Sequence, residues 1–464
     1  MLRSDLAPPE ERVADQNITR AVELLFLTCK GVTSQQLDVE THEGIVQLAG
    51  CTDNLLARER AEAIAKEVRG VRGVVNAIEV RTQPVPDAVL LRSVQQALHD
   101  NAATADYPVH CRVQQGEVTV EGTVHSWAEQ QLVLQVLRGV RGVRQIHPRL
   151  QLHPQPEAAP VHLVARLRTL LAWDLRLKSD LVSIEPVGHG VRVSGQVGSL
   201  AEREQLLHLA YAAGAAHIDA SGLTVAAWAL DPHLRPPRAV PQADGAIEQA
   251  VRDALRLDPR VAPFVATLQV NVRQGQVTLF GTVGHLQAHH AAAQDAGNVV
   301  GVVGVENHLL VRSHYLASDD ETRQRVAAAL ARDAYVGRCA FAVSVHDGHV
   351  RLAGEVASPA DQIRAGEVAA GIRGVAAVDN RVQVAPAAPA APPEPDAELA
   401  QRLHTHFYWS APLHDQDIDV QVRHGCVTLS GTVDTRLTRE RATEEALLCG
   451  AREVHNHLRL AGAP

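Results

Sequence analysis

The chain is short of aromatic residues, of paired cysteines and of long apolar runs, and each shortage removes a class of protein. Phe, Trp and Tyr make up only 3% of the 464 residues against 46% apolar residues, so its cores must be built from Val, Leu, Ile and Ala. No stretch approaches the ~20 apolar residues of a membrane-spanning helix. The start, Met1 to Gln16, lacks the apolar run that a secretory signal needs, so the expectation is a soluble protein that stays in the cytoplasm. The six cysteines, Cys29, Cys51, Cys111, Cys339, Cys426 and Cys449, contain no C-x-x-C pair. That argues against a disulfide or metal framework and leaves them as reduced packing residues. A formal net charge of −9 gives no general attraction to nucleic acid or to an anionic membrane, so any such contact must come from a local patch.

What the chain has in abundance is one phrase. Gly116-Glu117-Val118-Thr119-Val120-Glu121-Gly122 recurs as GIVQLAG from Gly44, GQVTLFG from Gly275, GHVRLAG from Gly348 and GCVTLSG from Gly425, with a damaged copy, HGVRVSG, from His189. The closing glycines are Gly50, Gly122, Gly195, Gly281, Gly354 and Gly431. A further glycine follows each, at Gly70, Gly142, Gly214, Gly301, Gly374 and Gly450, and four copies then place an asparagine, at Asn76, Asn307, Asn380 and Asn456. Landmarks held in register six times define a repeat array. Units of this size are marginal alone, since a ~60-residue domain buries only about 60% of its unfolded surface. Neighbouring units should therefore support one another.

Each unit opens with a helical pattern, such as Ile247, Val251 and Leu255 or Leu399, Leu403 and Phe407. Asp87, Asp244, Asp319 and Asp396 stand where a carboxylate can cap a helix start. An alternating run, a tight turn ending in glycine and a second alternating run then form a β-hairpin. A second helix begins at Ser126-x-x-Glu129, Ser199-x-x-Glu202 or Ser358-Pro359-x-Asp361. The third glycine ends it and a last strand closes the unit. The fold class is thus α+β, tandem α-β-β-α-β units, each a three-stranded sheet packed against two helices. The expected boundaries are 13–82, 87–153, 161–226 (degenerate), 243–312, 319–384 and 396–461, joined by linkers at 83–86, 153–160, 228–242, 313–318 and 385–395.

With these elements in place, the pattern resembles the BON domain family. The residues that carry the resemblance are the G-x-V-x-L-x-G strand and the Gly374-Val375-x-x-Val378-x-Asn380 sequel, and it extends over all six units. The resemblance implies a binding or attachment module without a catalytic centre, found at bacterial envelopes and phospholipid surfaces, in osmotic-stress proteins, or as an interaction or ligand-sensing unit. An envelope-associated location is accordingly the alternative to the cytoplasm.

The candidate chemistry is sparse. The repeat glycines Gly44, Gly50, Gly70, Gly116, Gly122, Gly142, Gly195, Gly214, Gly275, Gly281, Gly301, Gly348, Gly354, Gly374, Gly425, Gly431 and Gly450 lie between strands or at helix ends. No lysine or helix start follows to meet a phosphate, so they are structural. His289-His290, His404-x-His406 and His455-x-His457 do not recur between units, and no spacing completes a metal site. No catalytic residue, cofactor or metal is expected. Arg69 and Arg72, Arg138, Arg141 and Arg144, and Arg436, Arg439 and Arg441 form the candidate patch for an anionic phospholipid or acidic partner. The expected function is a non-enzymatic, multivalent binding scaffold that engages a protein partner or itself. Envelope or phospholipid binding is the first alternative and small-ion or ligand sensing the second. Variation between copies sits at the outward residues Gln47, Thr119, Arg192, Thr278, Arg351 and Thr428.

Overall fold

The computed structural model describes residues 13–28, 37–152, 160–230, 242–385 and 395–461, apart from 175–176, 178–180, 189, 216, 314, 316 and 415. Cys29, His189 and most of the linkers at 153–160, 228–242 and 385–395 lie outside the described residues. Six modules follow one another with the same element order. Module 2 shows it plainly: helix Asp87–Asp100, hairpin strands Val109–Gln114 and Glu117–Val124, helix Trp127–Arg138 and strand Gln145–Leu152. The hairpin strands are antiparallel and the last strand runs parallel to the second, which is therefore central in the sheet. In modules 1 and 6 the last strand is broken in two, at Gly73–Asn76 with Glu79–Val80 and at Glu453–Asn456 with Arg459–Leu460.

Alternation in the central strand decides which face is buried. Val118 and Val120 are fully buried under the two helices, as are Val277 with Leu279 and Val427 with Leu429. Each such side chain contributes roughly 1.5–3 kcal/mol of burial. On the opposite face Gln47, Arg192 and Arg351 are exposed and Thr119, Thr278 and Thr428 half-buried. The hairpin turns pair a left-handed residue with a left-handed glycine, as at Gln115 (φ 51°) and Gly116 (φ 80°). Two successive positive φ values are what a two-residue type I′ turn requires.

The aspartates at the helix starts do a different job from the capping expected of them. Asp87 is the first helical residue, and its carboxylate reaches across the module to accept the N–H groups of Gln115 (2.9 Å) and Gly116 (3.3 Å) in the hairpin turn. Asp15, Asp244, Asp319 and Asp396 hold their own turns in the same way. These two bonds hold Asp319 and Asp396 below the usual carboxylate range. Module 3 begins its helix with Pro160 at this position, and its turn lacks the clamp residue.

The recurring asparagine ties the last strand to the second helix. Asn380 donates to the Gln362 carbonyl (2.7 Å) while its own side-chain oxygen accepts the Val382 N–H (3.2 Å). Asn307 and Asn456 do the same with His289 and Leu309 and with Arg439 and Leu458. Module 2 has Pro148 and module 3 has Ala220 there; the last strand of module 3 shifts register between Asp219 and Gly222.

Second helices start on side-chain caps: Ser126, Ser199 and Ser358 accept the N–H three residues on. Glu129 and Glu202 return not to the cap residue but to the N–H before it, at His125 and Gly198. In module 4 the cap is His285, whose Nδ1 accepts the Ala288 N–H (3.0 Å). Burial lowers this imidazole to about 4, which keeps it in the neutral form that an acceptor needs.

Candidate functional site

The modules do not form a string. They pair first with last. Just beyond the second helix of module 1, Val68 forms an antiparallel backbone bridge with Ser410, which follows the first helix of module 6. Module 2 pairs with module 5 through two such bridges, Asn101 with Ile372 and Val140 with Asp333, and module 3 pairs with module 4 through Asp174 and Val299. The 2–5 junction is reciprocal. Ala102 and Arg373 donate to Gly371 and Asp100, while Arg141 and Ala334 donate to Arg332 and Gly139, all at 2.8–2.9 Å. The same surface patch serves both sides, as in an isologous dimer.

Lateral contacts complete the cluster. Among modules 1 to 3, Arg138 pairs with Glu59 (2.7 Å), Lys66 with Glu204 (2.6 Å), and Trp127 stacks on Tyr211 (5.7 Å). Leu286 of module 4 packs into the core of module 5, and Arg436 of module 6 lies against Gly297 of module 4. The element pairs that carry these junctions are helix on helix, including the second helix of module 3 (Leu200–Ala212) against those of modules 1 and 2. Helices therefore face inward, and the sheets are left to face out.

This placement divides the arginine patch. Arg138 is used against Glu59. Arg441 ion-pairs with Glu67 of module 1 and, at 2.9 Å, with Glu445. Arg69 donates its backbone N–H to Trp409. Arg436 pairs with Glu440 (2.7 Å), and the Arg439 carbonyl accepts Asn456. Arg72, Arg141 and Arg144 remain exposed. The side chains of Arg72 and Arg144 lie over the turn glycines Gly44 and Gly116. The seventeen repeat glycines all have positive φ.

Of the histidines, His406 is buried at the 1–6 junction with neither ring nitrogen hydrogen-bonded, and its Nε2 stands 3.8 Å from Glu445 Oε2, which also lacks a hydrogen-bond partner. Burial lowers His406 to about 4 and raises Glu445 to about 7. His404, His455 and His457 share no ligand set with it. Among the described residues the group with ligand atoms near enough to share an ion is Asp319, His346 and Asp347. Asp319 already accepts two turn amides there. A cavity of about 370 Å³ lies where modules 2, 4 and 5 meet. The role of the aspartate clamp escaped the sequence reading, although five aspartates standing 29 or 31 residues before the hairpin glycine carried the signal.

The repeated hairpin, the glycine sequel and this topology coincide with a family profile. Residues 14–82, 86–154, 243–313, 318–386 and 395–462 match the BON domain. The chain belongs to the BON domain family. Module 3 shares the BON topology but lies outside the matched residues. A single stretch of 67 residues is 37% identical to osmotically-inducible protein Y of Escherichia coli (strain K12), covering 14% of this chain and 33% of that protein; the match thus spans about a third of the relative's length. Two solved structures of CdsD, a structural protein of the type III secretion system of Chlamydia trachomatis, are 15% and 14% identical. They cover 42% and 50% of this chain and 90% and 95% of their own, each with a TM-score of 0.13. Among the described residues no helix is long and apolar enough to cross a membrane.

Proposed function

We propose that this BON array is a non-enzymatic scaffold that presents its outward sheet faces to protein partners or to further copies of itself. The observation that carries this reading is the inward packing of the helices. Junctions between modules consume helix surface and leave the outward sheet faces exposed. Those faces differ in chemistry. Module 2 carries Arg112, Glu121 and Arg149 in a charged ladder, module 5 carries Arg351, Asp379 and Arg381, and module 4 instead presents Phe280 stacked on His308, with Leu310 exposed. Several weak sites on one chain raise effective affinity without any single strong contact. Light scattering of the full chain over micromolar concentrations tests the self-associating form: a mass above 49.9 kDa is expected, and a clean monomer throughout counts against it.

A second reading, contact with anionic phospholipid, is favoured by the exposure of Arg72, Arg141 and Arg144 and by likeness to an osmotically inducible protein. Co-sedimentation with anionic vesicles should then be lost as salt rises, and absence of binding at low salt would sink it. The cytoplasm is the proposed location, with the envelope as the alternative; cell fractionation distinguishes them.

A further inference from the structure

The cavity between modules 2, 4 and 5 exists only in the assembled array, since no single module encloses it. Its walls are two-sided in character. Leu132, Val136 and Val368 give an apolar side, while Asn101, Gln135, Gln287 and Gln294 bring carboxamides from modules 2 and 4. Three guanidinium groups reach it, and each is already ion-paired: Arg260 with Asp258 at 2.5 Å, Arg332 with Asp100 at 2.8 Å and Arg364 with Asp333 at 2.8 Å. Burial also lowers His290, the remaining basic side chain on the wall, and so favours its neutral form. A formal charge brought into this space would be desolvated without an unspent counter-charge. Carboxamides, in contrast, both donate and accept hydrogen bonds, and the Gln287 Oε1 atom is buried with no partner. Groups that donate and accept in the same way are hydroxyls, and C–H faces suit the Leu and Val side.

We propose that this three-module cavity binds a small uncharged polyol or sugar, with the carboxamides meeting its hydroxyls and Leu132, Val136 and Val368 meeting its C–H face. Because modules from both halves of the chain line it, occupancy stabilises the closed cluster by mass action. The test is isothermal titration calorimetry of the full chain with glucose and with trehalose, and with inorganic phosphate and magnesium chloride as charged comparisons. A saturable heat is expected with at least one sugar and none with either salt. Gln135→Trp fills the cavity from an exposed wall position and should abolish that heat. Gln287→Leu, which removes a hydrogen-bonding pair, should weaken binding about 10-fold. If Gln135→Trp lowers the unfolding midpoint of the free protein, Gln294→Trp, from another exposed position on the wall, takes its place. The proposal is overturned by no saturable heat from either sugar, by saturable phosphate or magnesium binding in its stead, or by sugar affinity unchanged in the folded Trp variants.

Discussion

The 2–5 and 1–6 junctions use one geometry and two chemistries. At 2–5, the buried Asp100 is fully engaged: Arg332 lies at 2.8 Å, Arg325 at 3.8 Å and Gln96 donates at 2.7 Å. The eleventh residue of each first helix there is small, Ala97 or Ala329, opposite Val136 and Val368, and these four side chains line the cavity. At 1–6 the corresponding positions of module 6 are His406 and Glu445. They occupy space that is left open at 2–5, but with polar atoms that find no partners. The contrast separates shape from satisfaction. One junction leaves a void and engages its buried carboxylate fully, with Arg332 Nε unmatched; the other encloses bulkier groups and leaves both His406 ring nitrogens and Glu445 Oε2 unmatched.

Four experiments break or sharpen that contrast. Asp100→Ala strands Arg332 in a half-buried site and should destabilise the array by about 3–5 kcal/mol, the usual cost of removing one partner of a buried ion pair; denaturant unfolding reads it, and a loss below ~1 kcal/mol would refute the central role of this pair. At 1–6 the opposite sign is expected. The double variant His406→Leu with Glu445→Val copies the apolar residues of other modules, Leu25 and Val136, and should stabilise by about 1–3 kcal/mol, while Arg441 keeps Glu67. Asp87→Ala removes a turn clamp inside module 2 and should cost about 1 kcal/mol, with no change at either junction in hydrogen exchange.

The smallest effect is the pH dependence of the 1–6 pair. Glu445 is raised, so its contribution is fully present below its unfolded value near 4.5 and is lost as pH rises to about 7. His406 is lowered, so its contribution is present above 6.5 and is lost as pH falls to about 4. Between 4.5 and 6.5 the two slopes cancel. Stability should show a plateau there with a drop of less than about 1 kcal/mol on each side, and the double variant should lose both shoulders.

Local rules were legible in the sequence because they act within a module. The type I′ turns followed from glycine placement, the core faces from alternation at Val118 and Val120, and the helices from four-residue spacing at Leu399, Leu403 and Phe407. The recurring Asp and Asn were visible as positions, but their bonds join elements about 30 and 20 residues apart, so their purpose emerged only from the folded module. His285 as a helix cap broke the Ser pattern and gave no signal. Pairing of the modules was illegible, because a repeat period records what copies share and the pairing depends on what distinguishes them, such as Asp100, Arg332 and Arg441. Arg138 and Arg441 read as surface charge for the same reason: their carboxylate partners, Glu59 and Glu67, belong to another module.

The nested order of the bridges also permits a stepwise route of closure. The closures span 125 residues (174 to 299), 193 residues (140 to 333) and 342 residues (68 to 410). Ring-closure entropy grows only with the logarithm of length, so the widest closure made directly costs about 1 kcal/mol more than the narrowest. Made in succession, each inner closure shortens the free chain left for the next. In that order, with 3 on 4 first and 1 on 6 last, assembly would advance like a zip from the middle toward both ends. The module with the unmatched His406 nitrogens and Glu445 Oε2 would then dock at the final step, when the inner closures are already made.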